Sequence, residues 1–129
     1  MAVTHSTSAR DAATDAVTAL IGASGNLVFR LTGTIGAPGT AVATLPLSAD
    51  GFGDSASGTA TANAITSDTN ATGNASAVAT ASLQTSGGTL IIHCAVTAAS
   101  GDIDMTNGLT VAAGDTVSCS SLTYTALSA

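Results

Sequence analysis

The sequence contains no lysine, no glutamate and no tryptophan, and it has only two arginines, two prolines and two cysteines. Eight aspartates against two arginines give the 129-residue chain a formal net charge of −6 at pH 7. Proteins hold nucleic-acid phosphates and anionic membrane surfaces with Lys and Arg. We therefore expect no nucleic-acid partner and no membrane partner. No apolar run approaches the ~20 residues that a transmembrane helix needs.

Aromatic residues are also scarce, with two Phe and one Tyr in the whole chain. Apolar burial stabilises a fold by roughly 25 cal/mol per Å². A core built from Ala, Val, Leu and Ile buries little area per residue, so this single domain has a thin core for its length. We expect such a chain to gain support from a partner surface, either from copies of itself or from something larger.

Residues that could carry chemistry are few and badly placed for it. A hydrolytic triad needs a histidine base, but His5 lies in the N-terminal tail and no G-x-S-x-G elbow accompanies His93. Asp102, Asp104 and Asn107 have a spacing similar to that of a calcium loop, yet the bidentate glutamate of such loops is missing. We interpret them as a solvated loop. The sequence predicts no enzyme, no cofactor and no metal.

The two cysteines, Cys94 and Cys119, are too few for a disulfide framework. Cys94 shares the inward face of a predicted strand with aliphatic residues, and Cys119 follows Val117 on a similar face. Both are interpreted as inert, buried thiols. If their strands pair, a disulfide between the two cysteines is the alternative. His93 points to the opposite face from Cys94, because neighbours on a strand alternate.

One helix is predicted over residues 8–21, SARDAATDAVTALI. Ser8 is the expected N-cap, and Asp11 three residues later completes a loose capping box. Gly22 and Gly25 are expected to end the helix. Small and aliphatic residues recur at three- and four-residue spacing and form one apolar stripe. The stripe consists of Ala9, Ala12, Ala13, Ala16, Val17, Leu20 and Ile21.

After the helix the apolar period changes to two, which is typical of strands. The predicted strands are residues 27–32, 41–47, 59–65, 75–83, 89–97, a short one around 103–105, and 116–125. TLIIHCAVT, residues 89–97, is the most apolar strand and is expected at the centre of the sheet. Pro46 indicates an edge or an end, and TSGG, residues 85–88, indicates a hairpin turn.

These patterns predict a mainly β fold, an antiparallel β-sandwich or jelly roll of about seven to eight short strands with one N-terminal α-helix. The helix either packs on the sandwich or reaches out to a neighbour. Residues 1–25 are the tail and helix, and residues 26–129 are the sandwich of the same single domain. The first strand is expected to be half buried. Arg30 lies on its outward face, as a surface charge, as a local pair with an Asp or as an interface anchor.

Several segments resemble, in order, the small decoration (cement) proteins of tailed-bacteriophage capsids. These are ARDAATDAVTALIGASGNLVFR (residues 9–30), GTATANAITSDTNATG (58–73), SGGTLIIHCAVTAASGDIDM (86–105) and GDTVSCSSLTYT (114–125). Together they cover most of the chain. The resemblance implies a sandwich or jelly-roll structural protein that coats the outside of an assembled shell, with no catalytic residues.

Under this resemblance we expect the major capsid protein and further copies of this chain, as a homotrimer or homodimer, to be the partners. The chain would be made in the bacterial cytoplasm, since its N-terminus lacks a signal-peptide pattern, and would end on the outer capsid surface of the virion. The tail and helix, residues 1–21, and one sheet face are the expected contact. The candidate interface residues are Arg10, Val17, Leu20 and Arg30.

Two other structural functions remain open. A tail, fibre or adhesin module would bind a receptor through loops such as 33–40 or 100–108. A pilus subunit would exchange a donor strand at an open sheet edge.

Overall fold

The structure, a computed structural model, describes residues 3–129 and is mainly β with one helix. Two sheets, one of five strands and one of two strands, form within this part of the chain. The elements in chain order are helix α1 (Thr7–Ile21) and strands β1 (Asn26–Arg30), β2 (Ala41–Pro46), β3 (Thr59–Thr61), β4 (Thr80–Gln84), β5 (Leu90–Thr97), β6 (Ile103–Asp104) and β7 (Thr123–Thr125). The predicted helix and the predicted number of strands are confirmed.

Helix α1 begins one residue earlier than predicted, and its cap differs. The N-cap is Ser6, whose hydroxyl accepts the N–H of Ala9 at 3.2 Å, and Ser8 lies inside the helix. The predicted capping box is wrong, because Asp11 binds a distant loop instead. Gly22 ends the helix as predicted, with a φ of +72° that favours glycine.

The large sheet has the strand order β2-β1-β4-β5-β6. The four strands β2, β1, β4 and β5 pair antiparallel, whereas β6 runs parallel to β5. An entirely antiparallel sandwich is therefore not what forms. The prediction that residues 89–97 form the central strand is also wrong, since β4 holds that place. Apolar content does not set strand order, and the small Ala81 and Ser82 of β4 are completely buried.

One face of the large sheet builds the core. In register, Leu27 lies between Leu45 and Leu83, and Phe29 lies between Ala43 and Ala81. Strand β1 is buried on both faces rather than half buried, because Val28 on the opposite face is also enclosed. Residues from the second sheet and the long connections close the core from the other side. They include Phe52, Ala60, Ala71, Val111 and Val117.

The second sheet consists of two strands that are both shorter than predicted. Strand β3 pairs with β7 over three residues, with Ala60 opposite Tyr124. Of the predicted strand 116–125, only Thr123–Thr125 lies in this sheet, and Val117 makes one isolated bridge to Asp68. The intervening residues have a strand-like sequence pattern without a strand neighbour.

The two edges of the large sheet differ in whether other residues cover them. Irregular residues 65–73 cover the β2 edge, where Thr66 and Gly73 donate main-chain N–H groups to Pro46 and Val42. The Asp68 carboxylate accepts the N–H of Thr44 there at 2.9 Å. The other edge is the two-residue strand β6. Pro46 at the end of an edge strand matches the sequence prediction.

Candidate functional site

Helix α1 is attached to the rest of the protein by its polar side. Thr14 is completely buried, donates its hydroxyl to the carbonyl oxygen of Gly58 at 2.6 Å and accepts the N–H of Ala126 at 3.1 Å. The Asp11 carboxylate accepts the N–H of Gly58 at 2.6 Å. Two side chains one helical turn apart thus bind both main-chain groups of one glycine.

Further contacts extend this attachment along the loop before β3. The Asp15 carboxylate accepts the N–H of Ser55 at 2.9 Å, and the Ser55 hydroxyl donates to the carbonyl oxygen of Asp11 at 3.1 Å. Gly58 has a φ of +83°, and a Cβ there would lie 3.1 Å from the Cβ of Arg10. A glycine is therefore needed where the loop meets the helix.

As a consequence, most of the apolar stripe of α1 faces outward. Ile21 is the one stripe residue that is fully buried, and Leu20 is 62% exposed. Successive residues of an α-helix are about 100° apart around its axis. Residues 9, 12, 16 and 20 therefore lie on the side opposite Thr14. The outward face, as we call it, consists of the exposed residues Ala9, Ala12, Ala16, Ala19 and Leu20.

The four candidate interface residues do not form one surface. Leu20 belongs to the outward face, while Val17 is half-buried at its margin. Arg10 is half-buried beside Gly58, and its Nε is buried without a hydrogen-bond partner among the described residues. Whether any of them touches a partner stays a prediction.

Arg30 lies on the other side of the large sheet, in a network of neutral groups. Its guanidinium donates to the Ser82 hydroxyl at 3.1 Å, the Gln84 amide oxygen at 2.9 Å and the carbonyl oxygen of Gly39 at 2.8 Å. The expected pairing with an Asp is not what its contacts show. Arg30 instead joins strands β1 and β4 to the loop that follows β1.

That loop presents an isolated apolar side chain. Residues 33–38 close into a tight turn in which Thr34 and Ala37 exchange main-chain hydrogen bonds. Ile35, near the tip, is 53% exposed. The loop is held at its base by Arg30, so it displays Ile35 on a fixed support.

The histidines are not arranged for nucleophilic catalysis. His5 Nδ1 lies 2.7 Å from the carbonyl oxygen of Ala129, and His93 Nδ1 is buried without a hydrogen-bond partner among the described residues. No side-chain hydrogen bond within residues 3–129 joins either histidine to a serine or an aspartate.

Both cysteines are free thiols, so the disulfide that the sequence left open does not form. Burial, and secondarily the negative charge of Asp102, raises the pKa of the Cys94 thiol to about 11. Burial also raises the pKa of Cys119, against a hydrogen bond to the Ser121 carbonyl that lowers it. Both side chains are half-buried, so the prediction that they are buried is wrong. Their raised pKa values nevertheless keep both thiols protonated, which supports their interpretation as inert.

Asp102 and Asp104 serve the local fold. Asp102 accepts the N–H of Ala95 at 2.9 Å, and Asp104 accepts the N–H of Gly101 at 2.8 Å. In the part of the chain that the structure describes, no three His, Cys, Asp or Glu side chains lie close enough to hold a metal ion.

Helix α1 is the one helix described in residues 3–129, and it is neither long nor apolar enough to cross a bilayer.

Sequence reasoning missed Thr14, Asp15 and Gly58 as the residues that orient the helix. The signal was present as a second stripe of polar residues at helical spacing. It comprises Asp11, Thr14, Asp15 and Thr18.

Comparisons of this chain with protein-family models, with curated proteins and with solved structures gave no match.

Proposed function

We propose that this protein is a structural, non-enzymatic component of a bacteriophage virion that decorates and cements the outside of the capsid. The outward face of α1 is the surface that contacts the shell or a sister subunit. The observation that carries the proposal is the orientation of the helix, with its polar side bonded inward and its apolar side exposed.

That orientation favours a binding role, because an amphipathic helix in a self-sufficient domain normally buries its apolar side. The alanines let a partner backbone approach closely, and Leu20 adds one larger anchor. Five hydrogen bonds join the helix to the loop and the C-terminal segment. A partner would therefore meet a preorganised surface, which limits the entropy lost on binding.

Multiple copies on one shell would strengthen a modest contact. Each outward face is small, so a single contact would be weak, and simultaneous contacts by a homodimer or homotrimer would raise the avidity. In this proposal the two sheets are a reduced, mostly antiparallel sandwich of the jelly-roll kind. The capsid protein and sister copies are the partners, and nucleic acid and membranes are not.

A second candidate function rests on a different observation. Ile35 is exposed at the tip of a loop that Arg30 braces, which suits a tail, fibre or adhesin module that inserts this side chain into a receptor pocket. Such a module would also be a virion protein, but it would occur at far fewer sites.

Quantitative mass spectrometry of purified particles that carry this chain tests the proposal and separates it from the second candidate. Decoration predicts a copy number near that of the major shell protein, or a simple fraction of it. A handful of copies per particle would favour the tail or fibre module. Absence from the particles would overturn both functions.

A further inference from the structure

A cleft of about 750 Å³ opens between two segments near the β6 edge of the large sheet. One wall is the loop around β6, residues 102–110, and the other is residues 115–123. Its floor includes the buried side chains of Phe29, Val111 and Val117. The volume lies within the range of roughly 300–1,000 Å³ that ligand sites occupy.

The first wall carries an unpaired strand edge. Met105 donates its N–H to the carbonyl oxygen of Thr97, as the parallel pairing of β6 with β5 requires. Hydrogen-bonding groups alternate sides along a strand. The N–H and C=O of Asp104 therefore point away from β5, toward the free side of the edge strand.

The second wall carries a matching edge. Val117 uses both its N–H and its C=O to bind Asp68, at 2.8 and 3.0 Å. Since hydrogen-bonding groups alternate sides, the main-chain N–H and C=O groups of its neighbours Thr116 and Ser118 point away from Asp68. No main-chain hydrogen bond between described residues uses them.

The cleft also has a one-sided charge. Asp102, Asp104 and Asp115 line it, together with several threonine and serine hydroxyls. Neither arginine is among its lining residues. A segment that enters this cleft is favoured if it brings positive charge to the rim.

We propose that the cleft binds an extended, basic segment of another protein, added as a strand beside β6. Main-chain hydrogen bonds to the two unpaired edges would give affinity. Because side chains alternate along a strand, apolar residues on one side of the segment would be covered by the cleft while Lys or Arg residues on the other meet the carboxylates. The inference goes beyond decoration, since it holds for whichever protein supplies the segment.

A second copy of this chain cannot supply such a segment. Its arginines are Arg10 and Arg30, and it has no lysine. Arg30 is held by three hydrogen bonds and Arg10 lies in helix α1 against Gly58. The basic strand must therefore come from a different protein.

Titration of the ¹⁵N-labelled protein with short synthetic peptides tests this inference. The probe is an acetylated, amidated peptide of about seven residues that alternates lysine and valine. Its counterparts carry glutamate for lysine, or proline for the central valine. We expect the lysine peptide to shift the amide signals of Asp104, Thr116 and Ser118 and to slow their hydrogen exchange. It should bind about tenfold more tightly than either counterpart.

Matched variants separate the cleft from general attraction to an acidic protein. D104N with D115N removes two cleft charges while each Asn retains an acceptor oxygen, and D50N with D54N removes two exposed charges elsewhere. Loss of about tenfold in affinity in the first pair alone supports the proposal. Equal losses in both pairs, shifts that map to α1, or no binding at millimolar peptide would overturn it.

Discussion

Thr14 is a polar residue that is completely buried and held by two hydrogen bonds, whereas most apolar residues of the same helix are exposed. Its hydroxyl is completely buried and uses both its donor and an acceptor lone pair, toward Gly58 and Ala126. A buried hydroxyl with two partners leaves two main-chain groups unsatisfied when it is removed. Hydrogen bonding by Thr14, together with the burial of Ile21, decides which side of the helix faces inward.

Replacement of Thr14 by Val should therefore be costly despite the similar shape. We expect T14V to lower the free energy of unfolding by about 2–3 kcal/mol, because the Gly58 carbonyl and the Ala126 N–H lose their partner. Urea denaturation followed by circular dichroism measures it. T18V is the control, since the Thr18 hydroxyl only reaches the Asp15 carbonyl at 3.3 Å. Equal stability of both variants would contradict the account.

The thiols give a second prediction at the residue scale. With a pKa of about 11 against an ordinary 9.0, folded Cys94 has far less thiolate than the unfolded chain at pH 8. In the C119S protein we expect iodoacetamide to alkylate Cys94 roughly a hundredfold more slowly when folded, as two pKa units imply. Alkylation at the unfolded rate would show that the thiol is not shielded.

The raised pKa of Cys94 predicts that the free energy of unfolding falls as the pH rises above 9. The folded state holds the Cys94 proton more tightly than the unfolded state, so the contribution of this thiol to stability is present below pH 9 and is lost as the pH rises toward 11. Comparison of C119S with C94S/C119S by urea denaturation isolates this loss. A difference that grows in favour of C119S above pH 9 would contradict the assignment.

At the scale of elements, helix α1 reverses the usual arrangement of an amphipathic helix. Its bounds were predictable within a residue from the alanine-rich pattern and Gly22, whereas its orientation was not. The partners of Asp11 and Thr14 lie more than 40 residues away in sequence. The local sequence does not indicate such distant contacts. An apolar stripe taken alone would predict that the apolar side of the helix is buried.

Because the polar side of α1 faces inward, we expect substitutions on its polar side to cost more stability than substitutions on its exposed apolar side. D11A should lower stability by about 1.5–3 kcal/mol, since the carboxylate binds a part-buried N–H of Gly58. A12E and A16E should each change stability by less than about 0.5 kcal/mol, because both side chains are exposed and Glu is a good helix former. Thermal and urea unfolding of the three variants measure this. Strong destabilisation by A12E or A16E would show that the alanines are packed.

The strands show a similar limit of sequence patterns. Alternation located β1, β2 and β5 well, and the TSGG turn joins β4 to β5 as predicted. The strand predicted over 75–83 begins only at Thr80, so its first five residues were wrong. The last predicted strand, 116–125, was mostly not realised, because a strand pattern needs a neighbour and Val117 finds only Asp68. The parallel strand β6 follows from the course of the loop after β5, which residue periodicity does not encode.

At the scale of the whole molecule, the proposed binding role rests on the charge balance and on what the surface exposes. The net charge of −6 comes with two arginines that are both packed within the fold. The exposed features are an apolar helix face, a braced loop tip and an acidic cleft. The described residues bring together no catalytic pair, and the candidate interface residues predicted from the sequence do not share one surface. The outward face of α1 was therefore found only once the polar contacts of the helix were known.

This orientation also changes the experiment that tests the shell contact. Deletion of residues 1–21 would remove Thr14 and Ile21, which are buried in the fold, so loss of binding could reflect unfolding. A12E/A16E alters the outward face alone. A98E/A113E adds the same charge at exposed alanines outside the helix and serves as the matched control.

The most direct measurement is the binding of these purified proteins to capsids that have been stripped of this chain, followed by co-sedimentation. We predict that the unchanged protein and A98E/A113E rebind to the shell. A12E/A16E should bind at least about tenfold more weakly, because the contact would bury unpaired carboxylates. Undiminished binding of a folded A12E/A16E protein would contradict the claim that the outward face of α1 is the docking surface.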